Sequence, residues 1–503
     1  MKSCILRGTA LRMKTSVVLL IVGMGTVIFS CATDPNVYAK PDAAIRTGDY
    51  ASAVVAINEA QTIPEGKDKP MNPIYQANST ILLHLDRGIL EYYAGSFEES
   101  TKDLEEAERL IEEAFTKSVT QEISSYLAND NVKDYAGETY EDLYINVFNA
   151  LNYYANDDIE GAGVEVRRMT EKLVAFEGID EKSGFEISDL MTFFAEAVEV
   201  AEQGGLTLGI DLQVPSPVHS LQVVPGDPGA DFIQWVQSDT GKKIVDSALA
   251  RYLSAVFYRG MGNDDDARID LEVLSQTFGF DVTSEESDIP SEKARINVIG
   301  FAGLSPVKAM YKQTIPLDVF PTIHEAAEKA SAVDPTLGVG WAAVPVLVPR
   351  ASTIDKVEIT INDEIVTLNL LEDIGELMKS TLAEKFDDIY YKAYIQAAIR
   401  YIAVEVAGKQ AKEKAGDSPM ADAAVKAAIV GAKKGADALA QADVRSSRYF
   451  PDKAYAGGVT MDPGEYTVTV NYYAGSVKVG SVEKKINAQA GKANIVDTVC
   501  NFQ

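Results

Sequence analysis

Between about residues 43 and 278 one local pattern recurs four times: a helical run with a small residue and often an aromatic, a Gly/Asn/Asp turn, then a second run opening on a small residue. The first copy is Gly48-Asp49-Tyr50-Ala51-Ser52-Ala53, with Ala60 seven residues beyond Ala53. The second runs from Gly88 through Tyr92 and Gly95-Ser96-Phe97 to Ser100 and Ala107. Ala150, Tyr153, Asp157-Asp158 and Ala162 mark the third; Ala255, Tyr258, Gly262-Asn263-Asp264 and Ala267 mark the fourth. Ala150/Ala255, Tyr153/Tyr258 and Ala162/Ala267 each lie 105 residues apart. Small residues let two helices approach closely, and an aromatic fills the groove between them. One such pair cannot bury its apolar face alone, so the pattern commits this half of the chain to stacked helix pairs.

These residues resemble the tetratricopeptide repeat, and the resemblance implies that Ala53, Gly88, Ala107, Ala150, Tyr153, Ala162, Ala255, Tyr258 and Ala267 occupy helix–helix contacts. Intervals of 47, 62 and 105 between Ala53, Ser100, Ala162 and Ala267 depart from the 34-residue period, so additional helices or loops are expected between the pairs. Asp157, Asp158 and Asp264 to Asp266 precede helices, where carboxylates cap free N–H groups and favour the positive end of the dipole. The alternating ligands and following Gly of a calcium loop are absent, so capping is the expectation there. Gly204–Asp231 is crowded with Gly and Pro and reads as an excursion within the helical domain.

The character changes after Pro290. Arg295–Phe301 and Val344–Arg350 are short strand-like runs, and Lys356–Asn369 alternates through a hairpin turn at Asn362-Asp363. A helical stretch follows from Leu371 to about Ala415, carrying Tyr390, Tyr391, Tyr394 and Tyr401. Ser418-Pro419 supplies an N-cap signal for a second helix through Ala442. Strands then return at Gly457–Met461, Glu465–Tyr473, Val477–Ile486 and Ala493–Cys500. The expected fold class is α+β multidomain: a tetratricopeptide-like helical domain over residues 31–290, then an α+β domain over 291–503 with an inserted helix pair. The portion 445–503 is expected to be β-sandwich-like, and the strands around Val346 and Val468 to share one β-rich domain.

Residues 1–30 read as a lipoprotein signal peptide. Lys14 supplies a positive n-region, and Val17 to Phe29 is a 13-residue apolar run, short of the ~20 residues that span a bilayer. Ile28-Phe29-Ser30-Cys31 resembles a bacterial lipobox, which makes Cys31 the lipidated residue, although Phe29 is bulkier than the usual occupant of its position. An ordinary signal cleaved near Ser30, or an uncleaved anchor, is the competing reading, and either Met1 or Met13 serves as a start. Ala32 after the cysteine leans towards the outer membrane, facing the periplasm. With Cys4 removed and Cys31 acylated, Cys500 stands alone, so packing must supply stability without an intramolecular disulfide. Its alternating apolar context makes Cys500 a buried small hydrophobe.

The order of parts resembles a family of functionally uncharacterised bacterial envelope lipoproteins with tetratricopeptide-like N-terminal halves. The matching stretches are Gly137–Glu141, Ala150–Arg168, Arg251–Ser254, Pro345–Arg350 and Ala442–Ser446. The resemblance implies location and architecture and brings no catalytic residues with it.

A net charge of −29 argues against nucleic acid, since phosphate affinity requires clustered cations. His84, His219 and His324 are scattered, and His324-Glu325-Ala326-Ala327-Glu328 lacks the second His of a zinc helix, so no metal or cofactor is expected. No nucleophile elbow, P-loop or dinucleotide fingerprint occurs in the mature chain. Acidic pairs such as Glu105/Glu106 read as solvated helix surface, and the Tyr390–Tyr401 stripe as core. Two function classes remain. One is a non-enzymatic, lipid-anchored scaffold that binds an envelope protein or peptide in its helical groove and assists assembly of a cell-wall or envelope machine. The other is a carboxylate-dependent hydrolase acting on cell-wall glycan.

Overall fold

The computed structural model describes residues 35–118, 133–178, 223, 226–238, 246–280, 286–315, 340–350, 352–415 and 440–501, with scattered positions between 420 and 435. The segment read as a signal peptide with Cys31, most of residues 204–231, His219, His324 and the start of the helix expected from Ser418 lie outside the described residues.

Four helical hairpins lead the chain: α1 (Ala39–Ile45) with α2 (Tyr50–Gln61), α3 (Thr80–Tyr93) with α4 (Phe97–Ser118), α5 (Thr139–Ala155) with α6 (Ile159–Gly178), and α8 (Ala248–Gly260) with α9 (Asp264–Phe278). A short α7 (Ala230–Gln237) precedes the last pair. Each hairpin turns on one left-handed residue, Gly48, Gly95, Asp157 or Gly262. The next residue's N–H then reaches back to the carbonyl five positions earlier: Asp49 to Ala44, Ser96 to Glu91, Asp158 to Tyr153 and Asn263 to Tyr258, at 2.8–3.0 Å. This six-to-one bond closes the first helix while the same residue opens the second, and Asp49 and Asp158 also cap it with their carboxylates. Asp157 thus takes the strained turn position, and Asp158 alone does the capping expected of the pair. Five residues past each left-handed residue stand Ala53, Ser100, Ala162 and Ala267, each buried and each donating its N–H to the carbonyl of the residue that opens the second helix, Asp49, Ser96, Asp158 or Asn263. Ala107, Ala150, Ala255 and Tyr258 are buried too, Tyr153 packs at the margin of the core, and a Cβ on Gly88 would lie 2.9 Å from the Leu104 side chain.

The second half is built around a seven-stranded sheet in the order β8-β7-β4-β5-β6-β1-β9. Its members are β1 (Ala294–Ala302), β4 (Lys356–Ile361), β5 (Glu364–Asp373), β6 (Lys453–Met461), β7 (Gly464–Ala474), β8 (Val477–Ala488) and β9 (Asn494–Cys500). Neighbours are antiparallel except β1 and β9. The sheet rolls until β8 approaches β9, where a Cβ on Gly480 would come 2.7 Å from Cys500 Sγ. Cys500 is buried at that seam. Residues of even number on β1, β9 and β7 (Ile296, Val298, Val496, Val468, Val470) fill the inside of the roll with Val357 and Ile359. Odd residues on β1 and β9 (Ile299, Phe301, Ile495) join a second core made mainly by the helices. That is why β1 reads as an unbroken buried run rather than an alternating one.

Several expectations are corrected here. The portion 445–503 is no separate sandwich: its four strands are interleaved with β1, β4 and β5. Val346 lies on β3 (Gly340–Val348), which forms a two-stranded sheet with β2 (Val307–Ile315), and packs with the helices, whereas Val468 lies inside the roll. Strand β2, with Lys308 and Lys312 among its apolar residues, was not anticipated. The helix expected from Leu371 begins at Ile374, because Leu371 to Asp373 complete β5 and the Asp373 carboxylate then accepts the Glu376 N–H at 3.0 Å. This α10 (Ile374–Glu384) leads into α11 (Phe386–Ala415), where Tyr390 and Tyr394 are buried and Gly408 admits Ile429 against the helix backbone. The helical segment ends and the strands begin near Pro290, yet one hydrophobic core crosses that point, running from Ile45 to Ile495.

Because Ala162 and Ala267 are buried at equivalent points of their hairpins, Ala162→Leu and Ala267→Leu should each lower stability by about 1–3 kcal/mol in denaturant titrations. Lys102→Leu, at an exposed position of α4, should leave it nearly unchanged.

Candidate functional site

The first helix of every hairpin faces the strand-bearing half of the chain, and its polar residues reach across. Tyr92 (α3) donates to the Asp497 carboxylate, and Tyr154 (α5) accepts the Ile495 N–H at 2.9 Å. Arg259 (α8) donates to Asn297 at 3.0 Å and to Glu286 at 2.7 Å. Glu286 is buried between Arg259 and Arg295, and their charges outweigh the burial and hold its carboxyl below the usual range.

The densest contact is made by residues 441–452, which have no regular secondary structure and pass along α1, α3 and α5. Asp86, fully buried on α3, accepts from Ser447 Oγ at 2.7 Å, the Arg448 N–H at 2.6 Å and Tyr75 Oη at 2.6 Å. Glu141, fully buried on α5, accepts from the Ser447 N–H at 2.6 Å, Tyr135 Oη at 2.7 Å and the Glu138 N–H at 2.9 Å. Two arginines hold this stretch on either side of Ser447. Arg445 pairs with Asp443, donates to the carbonyls of Asn78 and Lys133 and covers the Tyr135 ring; Arg448 pairs with Asp42 at 2.7 Å and covers Tyr38. Tyr93 Oη donates to the Tyr449 carbonyl, and Phe450 packs on Phe148, itself 5.5 Å from Phe301. Lys308 pairs with Glu138, and Arg350 donates to the carbonyls of Ser305 and Arg448. Burial, reinforced by the Arg448 charge, lowers the Arg350 guanidinium to about 10.

A third buried carboxylate, Glu372 at the end of β5, accepts from Tyr144 Oη (2.8 Å), Ser247 Oγ (2.9 Å) and the Leu249 N–H (3.2 Å) at the start of α8. Burial raises Glu372 to about 7, and it raises Glu141 to about 7 with help from the Glu138 charge. Asp86 moves up for the same first reason, opposed by its donors. These acids face hydroxyl and N–H donors of their own chain, an arrangement that positions polypeptide. Among the described residues no group of three His, Cys, Asp or Glu side chains is placed to hold a metal ion. His84 is engaged by Asp103 at 2.9 Å beside Arg87.

The structure brings stretches that the sequence singled out for their family resemblance to residues 443–448: Asp443 stands near Glu138, Glu141 accepts the Ser447 N–H, and Arg350 donates to the Arg448 carbonyl. Asp86, Asp42, Glu372 and Arg448 were missed. The available signal was a charged residue within an apolar helix, as Asp86 is between Leu85 and Ile89. Compared with protein-family models, curated proteins and solved structures, the chain matches none of them.

Glu141 and Glu372 ionise near their ordinary value of 4.5 when unfolded but near 7 when folded. Each contributes stability that is complete below about pH 4.5 and is lost as pH rises through 7, on the order of 3 kcal/mol per group at most. Glu372→Gln should therefore gain stability relative to the parent between pH 5 and 8, measured as the difference in denaturation midpoints; a constant difference across that range would contradict the assignment.

Proposed function

We propose that the protein is a lipid-anchored scaffold of the bacterial cell envelope, facing the periplasm, whose tetratricopeptide-like helical array holds a partner protein during assembly of a cell-wall or envelope machine. The observation that carries this reading is the way the first helices grip an extended stretch of polypeptide. Paired carboxylates take its backbone N–H groups, and arginine–tyrosine contacts hold it on either side of Ser447. The identical turn geometry of all four hairpins supports the repeat reading. In this chain the gripped stretch is its own residues 443–450, so the surface left for a partner lies on the second helices, α2, α4, α6 and α9. Apolar side chains stand exposed there, including Val55, Val174 and Ile269. The anchor is Cys31; among the described residues no helix is long and apolar enough to cross a membrane.

Cys31→Ser should move the protein from the membrane fraction to the soluble fraction of cells, with loss of the acyl mass from its mature N-terminus. Retention in membranes with an unchanged N-terminal mass would end the lipoprotein reading. Photo-crosslinkers at Val174 and Ile269 in intact cells should each capture a second protein, identified by mass spectrometry. Absence of any adduct at both positions would end the scaffold reading.

A further inference from the structure

Cys31 and the folded body are separated by very little chain. The described fold starts at Pro35, in a one-turn 3₁₀ helix (Pro35–Tyr38) that runs directly into α1. Four peptide units extend at most about 14 Å. A lipid on Cys31 therefore holds Pro35, where the 3₁₀ helix that leads into α1 begins, within that distance of the membrane interface.

The hairpin defines what else is held there. Its second helix returns to the same end, bringing Glu59 to 3.9 Å from Lys40. The connection that follows folds back over this end: the Gln61 side chain donates to the Tyr75 carbonyl and accepts its N–H, and the Tyr75 ring meets Tyr38 edge-on at 6.1 Å. Between those fixed points the connection presents two large apolar side chains to solvent, Ile63 at 54% and Met71 at 73% exposure, with exposed Lys67 and Lys69 between them. Residues 35–75 carry four cations against five carboxylates in a chain of net charge −29, and one of those carboxylates, Asp42, is taken by Arg448. This end is thus far less repelled by an anionic surface than the chain as a whole.

We infer that the connection from Ile63 to Met71 rests on the bilayer that carries the lipid anchor, with Ile63 and Met71 at the boundary of headgroups and acyl chains and Lys67 and Lys69 beside lipid phosphates. The inference rests on the lipid-anchor reading above and adds to it a face and an orientation. The body stands on its first hairpin, and the last hairpin is the far end of the array.

The test uses full-length, acylated protein in phosphatidylethanolamine/phosphatidylglycerol vesicles, with Met71→Cys or Ile269→Cys carrying an environment-sensitive fluorophore. Cys500 is buried and Cys31 is blocked by lipid, so the label reports the introduced site. Spin-labelled lipid should quench the Met71 label several-fold more than the Ile269 label. Equal quenching at the two sites, with acyl chains on Cys31 verified by mass, would overturn the orientation while leaving the anchor intact. A Cys31 without acyl chains would remove both.

Discussion

A carboxylate taken out of water must find hydrogen-bond donors or remain protonated, and three such groups set the geometry of this molecule. Asp86, Glu141 and Glu372 stand on elements of different halves, and each accepts at least one hydrogen bond from the other half. Asp86 and Glu141 share Ser447, one through its hydroxyl and the other through its N–H. A shift of that stretch by a single residue would unmake both sets of bonds at once. The gain is in register more than in net stability, because desolvation offsets much of what such bonds contribute.

Around these acids the packing is continuous. Phe148 of α5 lies against Phe301 of β1 and Phe450 of the irregular stretch, so helix, strand and loop meet in one aromatic cluster. The rolled sheet keeps a private interior of Val, Ile and Tyr and gives its other face to the helices. The boundary near Pro290 marks a change of secondary structure, and the hydrophobic core passes straight across it.

What could be read from the sequence was what local chemistry decides. The Gly or Asp turns, the small residues five positions beyond them and the Asn362-Asp363 hairpin all follow from backbone geometry within a few residues, and the four turns share one hydrogen-bond pattern. Strand β2 escaped because its lysines break the apolar alternation; Lys308 points at Glu138, which is 170 residues away. The interleaving of β4 and β5 with β6 and β7 escaped for a similar reason, since pairing between sequence-distant strands leaves no mark in either strand alone. Residues 441–452 carry no periodicity of their own, and their role depends on carboxylates more than 300 residues earlier. Buried Glu108 illustrates the limit at a single position. It lies beside the solvated-looking Glu105/Glu106 pair, and only the fold brings Lys172, Arg168 and Asn146 to it.

The sheet order has a consequence for the timing of assembly. Strand β1 is flanked by β6 and β9, both of which come more than 150 residues later in the chain. A polypeptide delivered from its N-terminus therefore holds β1 and the inner faces of the helices without partners until those strands arrive. During that interval the carboxylates of α3 and α5 remain hydrated, and the aromatic cluster lacks Phe450. A molecule cut short before β9 would keep one edge of β1 open and leave the Tyr92 hydroxyl without Asp497, so a truncated chain carries its own mark of incompleteness on its surface.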